Sequence, residues 1–248
     1  MNPGDGRGYR SSEGGLDFWR HIEDLRKALF KAVLGWLAGT IVAWEYWTDL
    51  WKLLLRPLQG LKKMPQIVVT NPTGAVMMSF QVALVAGSVM AAPWIFWQVW
   101  SFVKPALHGK ERGVVLQAVW WTTILFVIGL VIGYHTIFPM TLKWLAGYGD
   151  GMFLQMWTVD EYTSMSVKLL GGFAAMFEFP LITWVIAKLG FVSHKQLLRW
   201  SRGALVVIFV LAAVITPPDP VSQCMMAFPM VLLYFAGVGT AWLAWKER

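Results

Sequence analysis

Three places in the sequence hold acids that could do chemistry. Glu178 stands in Phe177-Glu178-Phe179-Pro180, inside an apolar run over 162–189. A charged side chain at the centre of a bilayer costs about 2.5–3.5 kcal/mol on insertion scales, so such an acid is expected to face protein, water or a client. There it can relay a proton or hydrogen-bond another transmembrane helix. The second place is His21-Ile22-Glu23-Asp24-Leu25-Arg26, just ahead of the first apolar run. Locally, its acids can cap the positive end of a helix. As a site, they can hold a basic ligand. The third is Lys110-Glu111-Arg112, in a short charged loop. If it shares a membrane face with the second, Glu111 and one of Glu23 or Asp24 can grip guanidinium groups through bidentate hydrogen bonds. His21, His108, His135 and His194 are scattered, and the single cysteine, Cys224, allows neither an internal disulfide nor a thiolate cluster. With no nucleotide loop and no nucleophilic triad, neither an enzyme nor a cofactor is expected.

The elements that must position these acids are membrane spans. Only 14% of the 248 residues are charged and 57% are hydrophobic, against about 25% charged in soluble domains. Many of the 16 tryptophans flank apolar runs, as interfacial belts require. A span needs about 20 apolar residues. The pattern predicts six, at about 29–47, 74–103, 114–138, 162–189, 203–215 and 221–245, within one membrane domain over 21–248. Residues 1–20 read as a disordered leader rather than a cleavable signal. Residues 48–73, with Pro57, Pro65 and Pro72, read as an external loop with short helical pieces, and 140–161 as a mixed loop. Pro93 should kink the second span and Pro139 should end the third. The fifth run is short: thirteen residues, about 20 Å, against a hydrocarbon core of about 30 Å. It must nevertheless cross. Lys and Arg gather before the first span, in the loops after the second and fourth, and at the tail, and the positive-inside rule then puts both termini in the cytoplasm. The net charge of +7 lies in these loops, so no nucleic-acid partner is expected.

Between the last two spans, Thr216-Pro217-Pro218-Asp219-Pro220 forces a rigid turn, and Asp219 or Ser222 can cap the helix that follows. Taken in order, His21–Arg26, Gln98–Leu107, Lys110-Glu111-Arg112, Phe177-Glu178-Phe179-Pro180 and Thr216-Pro217-Pro218-Asp219 with Ser222, Gln223 and Pro229 resemble the TatC family. That family supplies the receptor of the twin-arginine, Sec-independent protein translocase. The resemblance implies an all-α membrane protein of six helices in a curved, glove-like, concave bundle, its last two helices short. It implies that Asp24 and Glu111 form the acidic site for the twin arginines of signal peptides on folded cargo, with Glu23 and Arg26 beside it and Phe102 and Arg112 near it. Glu178 would face the concave side. Pro57, Pro217, Pro218, Asp219, Ser222 and Gln223 would shape turns and partner docking, with TatA- and TatB-like single-span proteins seated at the last two helices. It further implies the bacterial cytoplasmic (inner) membrane, a homo-oligomer within a larger complex, and energy from the proton motive force. Where the family usually carries glutamate, this chain carries Asp24. It has His108 for a tyrosine, Gly113 for a second arginine and Phe235 for a glutamate.

A rival reading is a proton-coupled secondary transporter with Glu178 as relay. It calls for broken helices and an internal repeat. The sequence shows no clear repeat, and Glu178 is the only acid well inside a span.

Overall fold

The computed structural model describes residues 9–61, 63–104, 114–148 and 152–246. Helix α1 runs Tyr9–Glu45, α2 Trp47–Gln59, α3 Gly74–Val103 and α4 Val114–Ile132. A π-helical turn, Gly133–Ile137, joins α4 to α5, Phe138–Gly147. Then come α6, Val159–Met176, α7, Phe179–Lys188, α8, His194–Ile215, and α9, Pro220–Lys246. Two three-residue strands, β1 (Gln66–Val68) and β2 (Met156–Thr158), pair in parallel with Ile67 opposite Trp157. Among the described residues, six helical stretches are long and apolar enough to cross a membrane: Trp19–Glu45, Gly74–Val103, Leu116–Gly147, Val159–Lys188, His194–Ile215 and Pro220–Trp245. Large apolar side chains such as Ile41, Val206 and Val214 stay exposed along them. That is the surface a protein shows to lipid.

The helices form an open, curved wall. Helix α1 packs along α3; α3 meets α4 and α6; α7 and α8 both lean on α9. Small residues let α1 and α3 approach closely. A Cβ on Gly39 would come within 2.8 Å of the Gly87 carbonyl, and one on Gly87 would collide with Thr40. Indole N–H groups tie the same pair: Trp36 donates to the Leu84 carbonyl at 3.1 Å and Trp94 to that of Lys31 at 2.9 Å. Small-residue faces and interhelical hydrogen bonds replace the hydrophobic effect as glue inside lipid. The main core lies farther along the wall. Leu58, Phe138, Leu142, Tyr162, Phe173, Met226 and Met230 are buried there, drawn from α2, α5, α6 and α9.

Several boundaries differ from the sequence expectation. Residues 9–20, expected disordered, continue α1 as helix. Pro139 does not end the third span. It sits in the first turn of α5, and the wide π turn before it absorbs the missing N–H. The helix therefore reaches Gly147, well into the expected loop. The fifth helix begins at His194, nine residues before the apolar run, behind a capping box in which Ser193 and Gln196 satisfy each other's backbone. At 22 residues it spans about 33 Å. Together with the 26-residue sixth, it remains shorter than the other four spans, which run from 27 to 32. The small β1–β2 sheet carries no period the sequence could reveal, because three residues are too few.

Candidate functional site

The residues singled out by sequence fall at three depths. At the N-terminal end of the wall, Glu23, Asp24 and Arg26 project from one exposed turn of α1. The α1–α3 glycine seam sets this turn against the end of α3, where the rings of His21 and Phe102 stack with centroids 4.4 Å apart. The two neighbouring acids differ. Glu23 is paired one turn along with Lys27 at 2.8 Å. Asp24 makes no ion pair among the described residues, so its carboxylate is open to a ligand. Glu111 and Arg112 lie outside the described residues, between Lys104 and Val114 in the chain. His21 carried no weight in the sequence. Its one signal was position, one helical turn before Asp24 and Leu25 and next to a stretch whose partner could not be read.

At mid-depth, the fourth span breaks. Helix α6 ends at Met176, α7 starts at Phe179, and Glu178 occupies the joint. The ten residues of α7 cover about 15 Å, half a hydrocarbon core. Glu178 is only 7% exposed, and neither carboxylate oxygen has a hydrogen-bond partner among the described residues. The joint itself is gripped from both sides. Phe177 fills the space beside Gly129 of α4. Phe179 stacks on Tyr234 of α9 at 5.5 Å, and Thr240 donates to the Pro180 carbonyl at 2.6 Å. Thr183 donates to the Gly237 carbonyl at 3.0 Å. The break is thus built into the packing. It buries the Glu178 carboxyl within an apolar span, at the joint where the Thr183 and Thr240 hydroxyls tie α7 to α9.

At the far end, Pro217 and Pro218 hold the turn between α8 and α9. Of the two capping alternatives, Asp219 is the cap: its Oδ1 accepts from the Ser222 amide at 2.7 Å and from the Trp144 indole at 3.2 Å. Ser222 is fully buried, inside the helix. The Gln223 amide donates to the Phe209 carbonyl at 2.9 Å, which ties α9 to α8. Pro57 sits inside α2, apart from this turn, and α2 borders an apolar groove through Leu50, Leu53 and Leu54. That groove, about 550 Å³, is bounded by Tyr46, Leu54, Met90, Leu130, Tyr134 and Leu170, among others. It opens between the end of α1, α2, α3, the π turn and α6. Among the described residues no group of three or more His, Cys, Asp or Glu could hold a metal ion.

Comparison with known proteins decides the family. Residues 20–229 match the family model described as Sec-independent protein translocase protein (TatC). The chain belongs to the TatC family. The TatC protein of Carboxydothermus hydrogenoformans is 36% identical over 220 residues, covering 88% of this chain and 90% of that one. The TatC protein of Koribacter versatilis is 35% identical over 234 residues, covering 92% and 86%. A crystal structure of the twin-arginine translocase receptor TatC superposes with a TM-score of 0.85 at 28% identity, over 92% of this chain and the whole of that chain. This TatC-family chain is therefore a multi-pass membrane subunit of a Sec-independent protein translocase, and its six-helix architecture is that of the family. The family is a translocase component, not an enzyme.

Proposed function

We propose that this chain is the signal-peptide receptor of its translocase, with the exposed turn of α1 as the docking point for twin arginines. The observation that carries this reading is the contrast between Glu23 and Asp24. One carboxylate is paired with Lys27, while the next has no ion pair among the described residues and lies one helical turn from a stacked His21–Phe102 pair. A guanidinium needs both things: a carboxylate with unused lone pairs and a flat aromatic face to stack on. Glu111 and Arg112, which follow α3 in the chain, complete the site, Glu111 as the second carboxylate. The crystallised relative is a twin-arginine translocase receptor, which favours the same role here.

The positive-inside distribution puts this turn, and both termini, on the cytoplasmic side of a bacterial inner membrane. The signal's apolar segment then runs along the concave wall toward Glu178 and the groove beneath α2. TatA- and TatB-like single-span helices dock at α8 and α9, whose outer surface exposes Val206, Phe209, Val210 and Val214. Copies of this chain associate within that complex, and the proton motive force drives transport. The test is photocrosslinking of a twin-arginine peptide to wild type and to the Asp24→Ala/Glu111→Gln double variant in membranes. The double variant is expected to lose at least about tenfold in yield, two charge-assisted hydrogen-bonding groups being removed. Equal yields would sink the assignment.

A further inference from the structure

We propose that Tyr134 is a positioning residue for transport, matched to Pro57: its hydroxyl holds the one backbone carbonyl that the proline leaves unpaired, and so pins α2 over the apolar groove. Pro57 lies inside α2, where it has no N–H to offer the carbonyl four residues back, that of Leu53. In a helix at the edge of a bilayer that carbonyl needs another donor. The Tyr134 hydroxyl supplies it at 2.7 Å, from a span 81 residues away in sequence. The neighbouring carbonyl, Leu54, accepts from the Tyr162 hydroxyl of α6 at 2.6 Å. Two spans thus reach the two carbonyls beside the proline gap.

Tyr134 is the second residue of the π-helical turn Gly133–Ile137. Such turns recur at functional positions because the extra residue re-aims side chains that a regular helix would direct elsewhere. The proline in α2 and the wide turn in the third span therefore form one device. Leu53, Leu54 and Tyr134 also line the groove, so the same bond fixes the groove's roof. Leu58, one residue after Pro57, is fully buried, so a loosened α2 would lift core with it.

The test is hydrogen–deuterium exchange of the 47–59 segment in the full chain, reconstituted in nanodiscs, beside export of a twin-arginine reporter in cells. Tyr134→Phe keeps the ring and removes only the hydroxyl, and should speed exchange in α2 about fivefold, the net contribution of one solvent-exposed hydrogen bond. Pro57→Ala returns an N–H to the Leu53 carbonyl. In that background the same Tyr134→Phe change should speed exchange by no more than about twofold. Tyr234→Phe, which removes a hydroxyl bonded to the Leu197 carbonyl elsewhere in the wall, should leave α2 unchanged. Export should follow the same order: lowered by Tyr134→Phe alone and recovered when Pro57→Ala is added. The proposal is overturned if Tyr134→Phe acts equally in both backgrounds, if it leaves α2 exchange unchanged, or if export ignores it. The exchange readout needs no cargo, so it stands or falls independently of the signal-peptide site.

Discussion

Glu23 and Asp24 are adjacent in the chain, yet among the described residues only Glu23 holds an ion pair. The pairing is a matter of helical phase: Lys27 is four residues from Glu23 and three from Asp24, and it takes the first. Glu23→Gln should therefore leave twin-arginine crosslinking within about twofold of wild type, since an exposed pair of this kind contributes little. Asp24→Asn should lose most of it. A larger loss from Glu23→Gln would reverse the assignment of the two acids. Glu178 poses a different question. Its sequence position revealed a buried acid, but not that it stands at a helix joint with both oxygens unpartnered. A group that serves by hydrogen bonding survives isosteric replacement. Glu178→Gln should keep a substantial fraction of export, while Glu178→Leu should lose it. If both fail equally in an export assay, the charge itself is required and hydrogen bonding alone is not the role.

At the level of elements, the α1–α3 seam decides whether the receptor turn has a fixed partner. Gly87 meets the Thr40 backbone and Gly39 meets the Gly87 carbonyl, so neither position has room for a methyl group. Gly203, at the exposed start of the apolar part of α8, has nothing within 4 Å of a Cβ. Gly87→Ala should destabilise by about 1–3 kcal/mol, the range for forcing extra volume into a packed contact. Gly203→Ala should be neutral or slightly stabilising, as Ala is preferred in helices. Thermal unfolding in detergent, followed by circular dichroism, separates the two; equal shifts would mean that the seam can yield. Six apolar runs were legible because twenty-residue hydrophobic stretches have few other uses. The joints were not. Pro139 read as a stop because proline usually is one, and only a π turn, which has no sequence signature, let the helix pass. His194–Arg202 read as a basic loop because its apolar content is low, although Ser193 and Gln196 stand at capping-box spacing. Tyr134 and Tyr162 belonged to no motif, since their partners are backbone carbonyls.

The whole molecule is a wall with two unlike edges, one made by α1 and the other by α8 and α9, and its function depends on which face of the membrane each end meets. Six crossings place both termini on one side, whatever that side is. The direction rests on charge. Lys104, Lys188, Lys195, Arg199 and Arg202, with Arg20, Arg26 and Lys27 of the α1 turn, flank the ends on one side, against Lys52, Arg56, Lys62, Lys63, Lys143 and Lys168 on the other. Orientation can be read directly by cysteine labelling, because Cys224 is the chain's only thiol and Cys224→Ser clears the background. Gln59 and Lys195 are both exposed and lie at opposite ends of the spans, at the close of α2 and the first turn of α8. In intact cells a membrane-impermeant maleimide should label Gln59→Cys. It should reach Lys195→Cys only after the membrane is opened. The reverse pattern would put the α1 turn outside the cell, where no signal peptide waits before export, and the receptor reading would fail with it. Labelling of both from outside would mean an even number of crossings between them, not the three that separate them here. The break at Glu178 would then have to divide the fourth span into two separate entries rather than one bent passage.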